Sequence, residues 1–210
     1  MIKVLIVDDH AIVRQGLKRI IEDATDMKLV GESASAAEAI EQLSSKHCDV
    51  AIFDLTLPDK SGLDLLREAK AQWPGLQILI LTMHAEEQYA VRVMRAGAAG
   101  YLNKRSAPEE LLQAIRKIYR TGKYISPELA DLLADELKND ANRLPHELLS
   151  DREFQVLCLI ASGKSVSEIA DHLALSVTTI STYRTRILEK MQLKSNADLT
   201  RYALEHKLVD

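Results

Sequence analysis

Along the first 120 residues, short runs of Val, Ile and Leu alternate with longer stretches whose apolar positions return every three or four residues. Lys3–Val7, Lys28–Glu32, Val50–Phe53, Gln77–Leu81 and Ala99–Leu102 have the length and composition of strands. Between them, Val13, Leu17, Ile20, Ile21 and Ala24 share one helical face, and Ala36, Ala39, Ile40 and Leu43 share another within 35–46. Further helices are predicted over 61–72, 86–96 and 107–121. Five strands separated by helices predict a parallel sheet covered on both faces, an α/β fold.

The pattern then changes. Residues 122–148 are polar and helix-prone, punctuated by Gly122, Pro127 and Pro145, and read as a linker holding one helix over 126–138. From Leu149 the strand pattern is gone, and four short helices are expected at 151–162, 165–173, 176–191 and 195–206. The division is therefore an α/β domain over 1–121, a linker over 122–147 and an all-α domain over 148–210. The net charge of -4 argues against a generally basic nucleic-acid binder. Cys48 and Cys158 lie in unrelated apolar contexts and read as reduced core residues, and the apolar runs are too short to cross a bilayer. These features point to a soluble cytoplasmic protein.

The strand ends carry the chemistry. The first strand closes on Asp8-Asp9, the third on Asp54, the fourth on Thr82 and the fifth on Asn103-Lys104. Ligands of open parallel sheets bind outside the carboxyl ends of strands. Three carboxylates gathered in a partly desolvated cleft repel one another, and a hard divalent cation such as Mg²⁺ relieves that repulsion. Lys104 adds a fixed positive charge and Thr82 a hydroxyl, a combination suited to a phosphoryl group. Asp54 is then a third metal ligand or the nucleophile that attacks phosphorus. Individually, Asp8 and Asp9 are also ordinary helix-capping residues.

The blocks IVDDH, FDLTLPDKSG, ILTMH and GYLNK, spread over residues 1–120, resemble the receiver domain of two-component response regulators. The resemblance implies a flavodoxin-like (βα)5 fold with strand order 2-1-3-4-5 and Asp54 as phosphoacceptor. Mg²⁺ would be held by Asp9, Asp54 and the backbone carbonyl of Thr56, with Asp8 as an auxiliary acid at the metal. Thr82 would be the switch hydroxyl, Lys104 the phosphate-binding lysine, and Tyr101 the aromatic that changes rotamer with them. The chain departs from the family at Leu57, where Met is usual, and at Arg105, where many receivers have Pro.

In the second domain, SEIADHLALSVTTISTYRTRILEKM places Ile169, Ala170 and Leu173 on one short helix. Ile180, Ile187 and Met191 form the apolar face of the next, which Ser176 is placed to cap. Two such helices around a tight connection form a helix-turn-helix pattern. Its outward face carries Thr178, Ser181, Thr182, Thr185 and Arg186, with Arg184, Lys190 and Lys194 nearby and Thr179 counted with them as DNA-binding, groups able to reach base edges and phosphates. Acids and bases nearly balance across 144–210, so a generic helical interaction module stands beside DNA binding on these grounds. LSDREFQVLCLIASGKSVSEIA followed by LSVTTISTYRTRILEKMQLKSNADL resembles the LuxR-type helix-turn-helix. Together the two domains resemble the NarL/FixJ family, in the form of GacA/UvrY-type regulators. The family often has Lys where Ser181 stands and His where Tyr183 stands. By position, Ser181, Thr182 and Thr185 are the base readers, but the preferred DNA sequence of typical members does not carry over.

Two motifs lead nowhere. Gly163-Lys164-Ser165 ends like a P-loop but has Cys158 where Gly is required, and His146-Glu147 begins an HExxH pattern that Ser150 breaks. The expected function is a non-enzymatic, phosphorylation-switched transcription regulator. Its partners would be a sensor histidine kinase, promoter DNA, RNA polymerase and a second copy of the chain. The alternatives are a phosphatase-like α/β enzyme with Asp54 as nucleophile and a phosphorylation-independent DNA-binding regulator.

Overall fold

The computed structural model describes residues 1–83, 86–127, 129–131, 133–134, 144–206 and 208–209. The chain divides into two compact units, Met1–Asp131 and Leu132–Asp210. In the first, β1 (Ile2–Val7), β2 (Met27–Ser33), β3 (Val50–Phe53), β4 (Gln77–Thr82) and β5 (Gly100–Asn103) alternate with α1 (Ala11–Glu22), α2 (Ala36–Ser45), α3 (Gly62–Gln72), α4 (Glu86–Arg95) and α5 (Pro108–Thr121). The strands are parallel in the order β2-β1-β3-β4-β5, as the resemblance implied.

Position in that sheet explains the strand compositions. β3 has a hydrogen-bonded neighbour on each side, and all four of its residues are apolar and buried. That is the continuous apolar run a central parallel strand needs. Among the described residues the edge strand β2 pairs only with β1, and it mixes buried Met27 and Ser33 with exposed Lys28. It extends one residue beyond its sequence pattern at each end because its ladder to β1, from Met27 to Ser33, sets its length.

Helix α2 is capped twice. The Ser35 hydroxyl accepts from the Glu38 amide, and the Asp59 carboxylate, from the loop after β3, accepts from the Ala36 and Ala37 amides at 2.9 Å each. Burial would raise the Asp59 carboxyl, but those amides hold it below the usual carboxylate range. Gly122 ends α5 in the left-handed conformation at φ 78°, where glycine pays no Cβ penalty. The Tyr124 amide then donates to the Ala99 carbonyl at 2.7 Å. This return is why the first unit extends to Asp131, past the boundary read from the sequence pattern. Residues 127, 129–131 and 133–134 are helical, and the rest of the helix expected over 126–138 lies outside the described residues. No cis peptide bond occurs among the described residues, so the Lys104–Arg105 bond is trans.

The second unit opens with a 3-10 turn, Pro145–Leu148, that the sequence pattern does not show. It continues as α6 (Asp151–Ala161), α7 (Val166–His172), α8 (Val177–Met191) and α9 (Asn196–Glu205). Ser150, Ser165, Ser176 and Ser195 each cap the helix that follows, and Glu153 and Glu168 complete capping boxes. Phe154, Leu157, Ile169, Leu173, Ile180, Ile187, Met191, Leu199 and Ala203 fill its core. The His146 ring fastens the opening turn to α9, with Nδ1 2.9 Å from the Tyr202 hydroxyl. Cys158 is buried as expected, whereas Cys48 is only half-buried. The Cys48 thiol lies 3.2 Å from the Val50 carbonyl and is pushed up to about 12 by burial.

Candidate functional site

The parallel register delivers the strand-end groups to one edge. Pairing of Val7 with Phe53 places Asp8 and Asp54 side by side, and the Asp54 amide donates to the Val7 carbonyl at 2.8 Å. Both carboxylates are withdrawn from solvent, Asp8 at 2% and Asp54 at 3% exposure, while Asp9 and His10 are exposed. Pairing of Thr82 with Asn103 brings β5 alongside, and the Lys104 amide donates to the Thr82 carbonyl at 2.8 Å. Thr82 and Tyr101 are buried. Thr56 is half-buried and bridges to Ser61 across the loop that follows Asp54. A side chain at Gly62 would approach the Asp54 carbonyl to 1.9 Å, so only glycine lets α3 start against that loop.

The Lys104 ammonium stands between the two buried acids, 2.6 Å from Asp8 Oδ2 and 2.7 Å from Asp54 Oδ2. Burial raises the Asp54 carboxyl above its usual range, opposed by the Lys104 charge and hydrogen bond and reinforced by the Asp8 charge. Burial works to lower the Lys104 ammonium, but Asp54 and Asp8 outweigh it and hold it raised. The two directions agree physically. Lysine has two carboxylates to itself, whereas each carboxylate has a share of one lysine and a like charge beside it.

A cation would complete this balance. Ligand atoms of Asp8, Asp9, His10 and Asp54 all lie within 4.8 Å of one another. The carboxylate oxygens suit a hard ion such as Mg²⁺, which takes one or two carboxylates and keeps several waters. The structure thus brings together Asp8, Asp9, Asp54 and Lys104, with Thr82 at the end of the adjacent strand. His10 was not among the residues singled out from sequence. Its place directly after two strand-end acids was the available signal.

On α8, Thr178, Ser181, Thr182, Thr185 and Arg186 are exposed along one stripe opposite Ile180, Ile187 and Met191. Thr178, Thr179, Thr182, Tyr183 and Arg186 line a shallow depression on that helix. Other sequence-selected residues have partners within the unit. Lys190 Nζ lies 2.6 Å from Glu153 Oε2, the Arg184 guanidinium donates to Asn196 Oδ1, and the Thr179 hydroxyl meets the capping Ser176 hydroxyl at 2.8 Å. Lys194 is exposed in the connection to α9.

Comparison with known proteins agrees with this two-part architecture. The response regulator receiver domain family matches residues 4–116, and the luxR family of bacterial regulatory proteins matches residues 147–203. The response regulator UvrY of Escherichia coli (strain K12) is 37% identical over 209 residues, covering 99% of this chain and 96% of UvrY. The oxygen regulatory protein NreC of Staphylococcus carnosus is 40% identical over 215 residues, covering 99% of each chain. Among solved structures, the RcsB response regulator of Salmonella typhimurium superposes with a TM-score of 0.70 at 28% identity, covering 98% of each chain. A second RcsB structure, bound to the rprA promoter in the presence of the phosphomimetic BeF3-, gives a TM-score of 0.64 at 28% identity, covering 96% of this chain and 98% of that one. The chain belongs to the NarL/FixJ-type response regulators, a receiver domain followed by a luxR-family DNA-binding domain.

Proposed function

We propose that this regulator is switched by phosphorylation of Asp54 and controls transcription from promoter DNA. A sensor histidine kinase presents a phosphohistidine. An Asp54 carboxylate oxygen bonds to phosphorus, the phosphorus–nitrogen bond breaks, and the imidazole keeps the electron pair. Mg²⁺, held by Asp9, Asp54 and the Thr56 carbonyl with Asp8 beside it, would neutralise charge on the transferring group. Lys104 shifts from its shared carboxylates toward the phosphoryl oxygens. Thr82 donates its hydroxyl to them, and Tyr101 repacks in the space that this vacates.

The observation that carries this reading is the Lys104 bridge between Asp8 and Asp54, a buried cation already where phosphoryl charge would arrive. On α8, the exposed Thr178, Ser181, Thr182, Thr185 and Arg186 supply groups for base edges and phosphates. Thr179, Arg184, Lys190 and Lys194 flank them. The RcsB relative is seen on promoter DNA with a phosphomimetic, and as dimers on DNA, which supports the same behaviour here. We place the protein in the cytoplasm as a phosphorylation-promoted homodimer acting on RNA polymerase at its promoters.

Incubation with a small phosphodonor and Mg²⁺ tests the reading. One base-labile phosphoryl group per chain, lost in Asp54→Asn, supports it. Continuous turnover of phosphate esters would instead indicate a phosphatase, and DNA binding with no labelling a phosphorylation-independent regulator.

A further inference from the structure

The cation ligands implied by the family resemblance are all oxygen atoms. A nitrogen, His10 Nδ1 at the end of the IVDDH block, stands beside them. His10 directly follows Asp8 and Asp9 and stands at the N-cap of α1, where its side chain makes no capping hydrogen bond. Its amide donates to Asp8 Oδ1 at 2.8 Å, and its ring lies against the same acids. Nδ1 lies 2.6 Å from Asp9 Oδ1 and 3.4 Å from Asp8 Oδ1. The ring is 62% exposed, so the cleft is open to an ion from solvent on this side.

Donor set and charge both fit. A tetrahedral zinc with ligands at about 2.0–2.2 Å sets those ligands about 3.4 Å apart. Binding draws the atoms of Asp8, Asp9, His10 and Asp54, now within 4.8 Å of one another, inward by about an ångström and opens the 2.6 Å His10–Asp9 contact, movements that side-chain rotation supplies. Lys104 approaches Asp8 and Asp54 through Oδ2, leaving Asp8 Oδ1 on the His10 side. Donor chemistry then discriminates between ions. Mg²⁺ takes oxygen and dehydrates reluctantly, whereas imidazole suits zinc, nickel and copper.

We propose that His10 is an additional ligand of the strand-end cation site through Nδ1, and that it allows a borderline transition ion such as Zn²⁺ to displace Mg²⁺ there. The proposal rests on the reading of those acids as a cation site. Occupancy by Zn²⁺ would take Asp9 and Asp54 away from Mg²⁺, linking the regulator to transition-metal levels.

Calorimetric titration of the intact protein with Mg²⁺ and with Zn²⁺, on the parent and on His10→Gln, tests it, with thermal melting to check folding. His10→Gln is expected to weaken Zn²⁺ binding about tenfold or more while Mg²⁺ binding changes by less than about twofold. In the parent, added Mg²⁺ should lower the apparent Zn²⁺ affinity, which separates this site from other histidines such as His146 and His206. Equal Zn²⁺ affinity in the two proteins, or Zn²⁺ binding indifferent to Mg²⁺, overturns the role of His10. Failure of the underlying reading looks different: the parent would not bind Mg²⁺, or Asp9→Asn would bind it unchanged.

Discussion

Lys104 offers one ammonium to two buried carboxylates, at 2.6 Å from Asp8 and 2.7 Å from Asp54, and this unequal sharing governs how substitutions at the site behave. Removing the Asp54 charge leaves one lysine for one buried aspartate. Asp54→Asn is therefore expected to melt no lower than the parent in metal-free buffer, while losing phosphodonor labelling. A melting temperature several degrees lower would contradict a site in which Asp54 is held raised by burial and by Asp8. Lys104→Met is the opposite case, because it leaves two buried acids without their cation. A cost of about 3–5 kcal/mol in urea denaturation is expected, the usual penalty for breaking a buried ion pair from one side. Added Mg²⁺ should restore part of that loss.

At the scale of elements, α8 is aimed by an acid on another helix. Glu153 accepts from the Ser150 amide at 2.7 Å to close the capping box of α6, and it also accepts from Lys190 of α8 at 2.6 Å. Burial would raise the Glu153 carboxyl, but Lys190 and Ser150 outweigh it and hold it below its usual range. A depressed folded-state value stabilises the fold above the unfolded-state value of about 4.5, and the contribution is lost as pH falls through the folded-state value. The helical unit should therefore weaken below about pH 4.5, and Glu153→Gln should flatten that acid limb. At neutral pH the same change is expected to cost about 1–2 kcal/mol by chemical denaturation, through the lost cap and the lost charged hydrogen bond. A pH profile identical to the parent would show that Glu153 is not the titrating anchor.

At the scale of the whole molecule, the two units have separate cores and separate chemistry: the acidic cleft lies in the first and the exposed stripe of α8 in the second. A fragment starting at residue 144 is expected to unfold cooperatively and to bind DNA equally with and without phosphodonor. The intact chain should gain affinity on phosphorylation. Gel-shift titrations of both at one salt concentration check this, since phosphate contacts make affinity strongly salt-dependent. A fragment that still responded to the phosphodonor would place the acceptor outside Asp54.

The parallel sheet, its strands to within a residue or two, and the acids at the ends of β1 and β3 were legible in the sequence because period and composition are local properties of the chain. So was the apolar face of α8 through Ile180, Ile187 and Met191. Where each polar side chain finds its partner was not legible. Nothing in the sequence pattern singled out Asp59, yet it caps α2 across the fold. Lys190 read only as a DNA-facing charge, yet its ammonium lies against Glu153. His10 was not singled out at all, and only the folded turn brings its Nδ1 to 2.6 Å from Asp9. Pattern alone thus determined the strands and the helices that bury an apolar face, and which residues reach the strand ends, because burial of apolar periodicity drives both. The tertiary structure decided which carboxylates share one lysine and which cations are spoken for within the fold. Those pairings join residues distant in the chain, over distances set only when the elements pack.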